Sequence, residues 1–260
     1  MNTLLKNLEA GINNNDCMLM GHVIAGFPDV KTSIEAAKGI CSGGASFLEV
    51  QFPFSDPNAD GPVIENACYT SIENGFTVED GFKIVRELSS STKTASIIMT
   101  YANIVFKYGV QSFVKKAKEC GASALIVPDL PLDHDEGLMH YATENDMGVI
   151  LIATPGCDGK RIKDLSEKSF GMLYTVARRG TTGNKTELNA ETDEWIQLVK
   201  NNSTKPIALG FGIQSKEQTD KLKGVVPIVI AGSYFVTVIS KLKQNENVQS
   251  ELEKASKALF

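Results

Sequence analysis

A carboxylate lies inside the second strand-like segment of this chain, where a buried strand normally carries apolar residues. Side chains alternate between the two faces of a strand, so Glu49 lies on the face opposite the apolar Leu48 and Val50. A buried charge is costly unless it is paired, hydrogen-bonded or protonated. Two interpretations follow for Glu49: a salt-bridged core residue, or a general acid/base tuned by its surroundings.

A second carboxylate, Asp60, follows eleven residues later in a proline-rich loop. Pro53, Pro57 and Pro62 each fix a backbone φ angle, which predicts a shaped loop rather than a mobile tail. Such a loop can hold Asp56 or Asp60 over the ends of the strands. The alternative for either residue is an aspartate that caps a turn.

Two glycine turns follow the last two strand candidates, with Gly210 and Gly212 in the first and Gly232-Ser233 in the second. Glycine allows close backbone approach, and the N-terminus of a following helix presents free N–H groups. This pattern predicts a phosphate site, with ordinary turn glycines as the alternative. Tyr101, at the end of the third strand candidate, is predicted to form a pocket wall.

The loop after the sixth strand candidate, residues 174–184, combines Gly, Thr and Asn with two arginines. It is typical either of a lid that contacts an anion or of a solvated surface loop. His22, in the first strand candidate, is more typical of a hydrogen-bonded core histidine than of a base.

A recurring unit must position these residues: an apolar β-rich run, a turn, then an amphipathic stretch. The predicted strands are Met18–Ile24, Phe47–Phe52, Ala95–Tyr101, Ala124–Val127, Gly148–Ala153, Met172–Ala177, Pro206–Gly210 and Val225–Ala231. Runs without strict alternation favour parallel strands covered by helices. Eight units in 260 residues predict a single-domain (β/α)8 TIM barrel over residues 1–260 with an extra N-terminal helix. An open doubly wound sheet is the alternative, although no G-x-G-x-x-G follows the first strand.

Composition narrows the class of protein. The net charge of −5 offers no basic patch for nucleic acid, and the apolar runs are too short for a membrane span. The N-terminal residues lack the features of a signal or transit peptide. Five scattered cysteines without CxxC spacing argue against metal and disulfide sites. We therefore expect a cytoplasmic protein that binds no nucleic acid, no membrane and no metal.

The segment FLEVQFPFSDPNADGP, residues 47–62, closely resembles the signature of the tryptophan synthase alpha subunit family. Further similar motifs are GFP at 26–28, MTYAN at 99–103, IVPDLP at 126–131, GTTG at 180–183, GFGI at 210–213 and GS at 232–233. The resemblance covers nearly the whole chain. It implies a lyase that splits indole-3-glycerol phosphate into indole and glyceraldehyde 3-phosphate by a retro-aldol step in L-tryptophan biosynthesis.

By this resemblance, Glu49 is the general acid/base, and Asp60 accepts the indole N–H and stabilises the ring cation. The implied substrate-binding residues are Tyr101, Tyr174, Thr182, Gly183, Gly212, Gly232 and Ser233. Thr182 matches a lid threonine that engages the loop aspartate. The resemblance implies no cofactor in this chain.

The family works with a beta subunit that carries pyridoxal phosphate, so the resemblance implies an alpha2-beta2 assembly. Asp56 and Asn103 match positions at the contact between the two subunits. A stand-alone indole-releasing lyase, and a weakly catalytic allosteric partner of the beta subunit, remain alternatives.

Three residues depart from the family pattern. Gln51 replaces a glycine and is expected either to narrow the pocket or to hydrogen-bond Asp60. His22 replaces an apolar pocket residue, usually Phe, which could alter how indole packs. Arg179 adds a charge near the implied phosphate site.

Overall fold

The computed structural model describes residues 1–14, 17–177 and 190–260. Within them the strands are β1 (Met18–Ile24), β2 (Phe47–Gln51), β3 (Ala95–Met99), β4 (Ala124–Ile126), β5 (Ile152–Ala153), β6 (Leu173–Val176), β7 (Ile207–Gly210) and β8 (Ile228–Ala231). The helices are α1 (Thr3–Asn13), α2 (Val30–Ser42), α3 (Pro62–Glu73), α4 (Val78–Ser91), α5 (Ala102–Tyr108), α6 (Val110–Glu119), α7 (Leu138–Glu144), α8 (Gly159–Lys168), α9 (Ala190–Asn202), α10 (Lys216–Leu222), α11 (Ser233–Lys241) and α12 (Val248–Lys257).

The strands pair in parallel in the order β4-β3-β2-β1-β8-β7-β6-β5. A bridge from Leu125 to Val149 joins the two ends, with the Ile150 N–H donating to the Leu125 carbonyl at 2.8 Å. The sheet therefore closes on itself, and the prediction of a (β/α)8 barrel is confirmed.

Alternate residues of each strand enter different cores. Phe47, Ile97 and Met172 belong to a cluster inside the barrel, whereas Leu48 and Val50 pack with the helices outside. The predicted parity of β2 is confirmed, so Glu49 points into the barrel.

Helix α1 closes the amino-terminal end of the barrel. Leu4 and Leu8 belong to the interior cluster. The Asn2 side chain caps α1 by accepting from the Leu4 N–H at 2.9 Å and donates to the Ser123 carbonyl at 2.8 Å. Asn7 donates to the Ser46 carbonyl at 2.9 Å. These contacts seal the end of the barrel opposite the strand carboxyl ends.

The starts of three helices can be compared with what the sequence predicts. Residues 215–218, Ser-Lys-Glu-Gln, have the sequence form of a capping box, but this prediction is wrong: the Ser215 side chain makes no cap hydrogen bond, and the Gln218 side chain accepts from the Gln214 N–H. The sequence pattern predicts a helix over residues 134–145, whereas α7 begins only at Leu138, after a turn. Thr77 precedes two acidic residues, a pattern that predicts a helix start, and its side chain caps α4 together with that of Asp80.

Candidate active site

A cavity of about 590 Å³ opens at the carboxyl ends of the strands. Among its lining residues are the predicted site residues Glu49, Asp60, Tyr174, Gly212, Gly232 and Ser233, and also His22. A larger cavity, about 970 Å³, lies at the amino-terminal end, but the described residues that line it include no Asp, Glu or His. Active sites of this fold lie at the carboxyl end, so we assign the chemistry to the smaller cavity.

Glu49 is paired inside the barrel with a histidine from the next strand. His22 on β1 and Glu49 on β2 are register neighbours, and both side chains point to the barrel interior. His22 Nδ1 lies 3.4 Å from Glu49 Oε2, and both residues are about 97% buried. Burial by itself would lower the pKa of His22, but the Glu49 carboxylate, with a further contribution from Asp60, raises it above its ordinary value.

Asp60 is held by two donors that reach the same oxygen. Gln51 Nε2 donates to Asp60 Oδ2 at 2.7 Å, and the Tyr101 hydroxyl donates to it at 3.0 Å. Burial raises the pKa of Asp60, while the Gln51 hydrogen bond, nearby His22 and Tyr101 act in the opposite direction. Of the two expectations for Gln51, the hydrogen bond to Asp60 is confirmed.

Tyr101, predicted as a pocket wall, is not among the residues that line the cavity; it links the loop that carries Asp60 to the barrel wall. Its hydroxyl oxygen accepts from the Ala59 N–H at 3.1 Å, and its ring stacks on Phe54 with centroids 5.1 Å apart. Burial, then the Asp60 carboxylate, raises the pKa of Tyr101. Burial likewise raises the pKa of Tyr174 on β6, so both phenols stay protonated and can donate hydrogen bonds.

The predicted phosphate residues lie where β7 and β8 end. Gly212 has φ +66°, a conformation that favours glycine. Gly232 is the N-cap of α11 and Ser233 is its first residue, and both line the cavity, so the first turn of this helix begins beside it. This arrangement suits an anion.

The remaining predicted residues fall elsewhere. Thr182 and Gly183, together with Arg179, lie outside the described residues. Asp56 and Asn103 are exposed and do not line the cavity; Asp56 accepts a 2.6 Å hydrogen bond from its neighbour Ser55.

The pairing of His22 with Glu49 was not expected. The expectation that His22 is a core histidine with all its hydrogen bonds made is contradicted, because its Nε2 has no partner among the described residues. The signal was available in principle: in a parallel barrel, residues of adjacent strands that share an inward face become neighbours. The sequence does not specify the register of the two strands, and so does not specify the contact.

The site therefore combines two buried carboxyl groups, an imidazole and a helix N-terminus around one cavity. Such a set can move protons and stabilise a positive charge next to a bound phosphate. Within residues 1–14, 17–177 and 190–260, no cluster of three or more His, Cys, Asp or Glu could hold a metal ion. No helix among them is long and apolar enough to cross a membrane.

Comparison with known proteins identifies the family. Residues 8–259 match the family model described as "Tryptophan synthase alpha chain". The tryptophan synthase alpha chain of Helicobacter hepaticus is 50% identical over 240 residues, which cover 90% of this chain and 88% of the relative. That of Antithamnion sp. is 34% identical over 251 residues, covering 96% and 95%.

Solved structures agree with the sequence relatives. Mycobacterium tuberculosis tryptophan synthase superposes with a TM-score of 0.89 at 28% identity, covering 98% of this chain and 96% of that one. A mutant tryptophan synthase alpha-subunit from Pyrococcus furiosus gives 0.84 at 28% identity, covering 93% and 97%. With its barrel, its carboxyl-end cavity and these matches over nearly its full length, the chain belongs to the tryptophan synthase alpha chain family.

Proposed function

We propose that this chain cleaves indole-3-glycerol phosphate to indole and glyceraldehyde 3-phosphate, as the alpha subunit of tryptophan synthase. The family membership implies this lyase half-reaction. The observation that carries the assignment of residues is the convergence of two buried carboxyl groups, Glu49 and Asp60, on one cavity at the carboxyl end of the barrel.

The reaction needs a proton at indole C3 and the loss of a proton from the adjacent glycerol hydroxyl. Glu49 lies on a strand inside the barrel, where a rigid element fixes its position, and we assign it the general acid/base role. The indole nitrogen becomes positive when C3 is protonated. Asp60, kept in place by Gln51 and Tyr101, accepts the ring N–H and stabilises that charge.

Different residues are proposed to bind the phosphate end and the indole end of the substrate. Gly212, Gly232 and Ser233 are proposed to hold the phosphate, supported by their position at the start of α11. Tyr174 is proposed to line the indole pocket, and Tyr101 to border it through its contact with Asp60. Thr182 and Gly183 remain proposed lid and phosphate residues on the strength of the sequence motif alone.

Membership of the family implies a beta subunit as the partner. We propose an alpha2-beta2 assembly in which Asp56 and Asn103 contact the beta subunit. Their exposure supports this role, because a docking residue must be accessible before assembly. The exposed Phe106 on α5, 40% accessible, adds an apolar contact beside Asn103. Pyridoxal phosphate is proposed to reside only in the beta subunit.

Indole release by the purified chain, measured with and without its beta subunit, tests this function. We expect slow release alone and faster release with the beta subunit, because partner docking orders the site. Glu49→Gln should lose most of this activity, about 10²–10⁴-fold, while still binding substrate. Fast release that the beta subunit does not change would favour a stand-alone lyase. No release in either case, with the beta subunit still activated, would favour an allosteric partner.

A further inference from the structure

One buried polar atom of a cavity-lining residue has no partner among the described residues. His22 is about 97% buried and lines the cavity, yet its Nε2 makes no hydrogen bond to any described residue. A buried polar atom without a partner lowers the stability of the fold. A ligand that bonds this nitrogen would remove the cost.

The position of the other ring nitrogen, Nδ1, determines which edge of the imidazole can contact a ligand. Nδ1 lies 3.4 Å from Glu49 Oε2, and the parallel register of β1 and β2 fixes the two residues side by side. Since His22 lines the cavity and Nδ1 is directed at Glu49, Nε2 is the nitrogen left for a molecule bound there. A neutral imidazole with its proton on Nδ1 has a lone pair on Nε2 and can accept a proton.

We propose that His22 is a second proton-transfer residue of this site, whose Nε2 takes the proton of the substrate hydroxyl while Glu49 gives its proton to indole C3. The proposal rests on the proposed lyase function and adds a residue to it. It divides between two groups the two proton transfers that a single carboxyl group would otherwise have to perform in turn.

The step balances in atoms and electrons. Glu49 protonates C3, and the resulting ring cation lies beside Asp60. The hydroxyl then gives its proton to His22 Nε2, the bond from C3 to the carbinol carbon breaks, and its electron pair returns to the indole ring. The former hydroxyl becomes the aldehyde carbonyl. The Nδ1 proton passes to the Glu49 carboxylate, and proton exchange with water after product release restores the starting tautomer of His22.

The charges around the imidazole favour this role. Once Glu49 has given its proton to C3, two carboxylates act on the imidazole, Glu49 from β2 and Asp60 from the loop after β2, and together they outweigh burial and raise the pKa of His22. An imidazole in this setting holds a proton more readily than a free one, as the hydroxyl step requires.

Two substitutions separate proton transfer from positioning. His22→Asn keeps an N–H donor near Glu49 but has no group at the Nε2 position, whereas His22→Phe removes both. His140→Asn is the matched control, because His140 is exposed and also lies 3.4 Å from a glutamate, Glu144. Two rates are measured for each variant: cleavage of indole-3-glycerol phosphate, and deuterium exchange at indole C3 in D2O with indole alone.

We expect both His22 variants to lose about 10²–10⁴-fold in cleavage. We expect them to keep C3 exchange, which needs only Glu49 and Asp60, while His140→Asn changes neither rate. Wild-type cleavage in His22→Asn overturns the proposal, and so does a parallel loss of exchange, which would mean that His22 acts only through Glu49. If Glu49→Gln kept both rates, the underlying assignment of Glu49 would fail instead.

Nitrogen-15 NMR of the unmodified protein provides a measurement that does not depend on how variants fold. We expect the resting imidazole to carry its proton on Nδ1 with a free lone pair on Nε2. The Nε2–H tautomer in the resting protein would contradict the proposal.

Discussion

The two ends of the barrel differ in how many of their buried polar atoms have hydrogen-bond partners. At the amino-terminal end, Asn2 and Asn7 of the α1 region donate to backbone carbonyls, and Leu4 fills the interior. At the carboxyl end, His22 Nε2 and Gln51 Oε1 are buried with no partner among the described residues. Thr100 Oγ1, just after β3, is a third such atom at this end, whereas Ser96 Oγ lies near the amino-terminal start of β3. Most of the unused hydrogen-bonding capacity among the described residues therefore lies at the carboxyl end.

This difference separates residues that stabilise the barrel from residues that act on a ligand. A pairing that is complete in the protein alone contributes to stability. A polar atom without a partner costs stability and is retained where a bound molecule supplies the missing partner. Substitutions at the amino-terminal end should therefore affect stability alone, and those at the carboxyl end should affect activity first.

The largest effect on stability is expected from Leu4→Ala. Leu4 is fully buried in the barrel interior, so its truncation leaves a cavity and should lower the free energy of unfolding by about 2–5 kcal/mol. Indole release at a temperature where the variant is folded should stay at the wild-type rate. Urea denaturation and a cleavage assay measure the two quantities. Leu198→Ala, at a position 39% exposed on α9, is the control and should change stability by no more than about 0.5 kcal/mol. A large loss of activity in folded Leu4→Ala would contradict the separation of the two ends.

Asp60→Asn should lower the rate of indole release by about 10²–10³-fold, the usual effect of losing one charge-stabilising contact. The same change should raise stability near neutral pH. Burial raises the pKa of Asp60 above the unfolded value of 3.8, so the fold disfavours the ionised carboxylate. This penalty disappears as the pH falls through the raised pKa toward 3.8.

Thermal unfolding of both proteins between pH 3 and pH 7 tests the second half of this prediction. We expect the stability of Asp60→Asn to exceed that of the wild type at neutral pH and to approach it in acid. A gap that widens in acid would show that the carboxylate stabilises the fold.

The smallest effect is expected from Gln51→Met, which keeps an unbranched side chain but removes the donor to Asp60. A hydrogen bond to a charged group contributes about 1.5–3 kcal/mol, so losing one of the two donors to Oδ2 should lower the rate about tenfold or more. The exposed Gln249→Met serves as the control. A rate above the wild type would mean that Gln51 restrains Asp60 from acting and narrows the pocket.

Much of the fold could be predicted because its signals are local. The alternation of side chains in β2 predicted the inward face of Glu49, and Thr77 with Asp80 formed the expected N-terminal cap. Predictions of where individual helices begin were less accurate. The Ser215 hydroxyl does not cap α10, because Gln218 accepts the hydrogen bond from the Gln214 N–H instead. Helices α3 and α5 had no strong periodic signal, because the apolar face of α3 is weak and α5 has only seven residues.

The sequence alone determined which residues could do chemistry at the carboxyl end, because residue type and strand parity are properties of short segments. It also predicted that Gln51 could reach Asp60, since both belong to one strand-loop unit. Only the tertiary structure decided that His22 pairs with Glu49 and that Tyr101 bonds Asp60. Those contacts join separate elements, and their distances depend on strand register and barrel closure, which no short segment encodes.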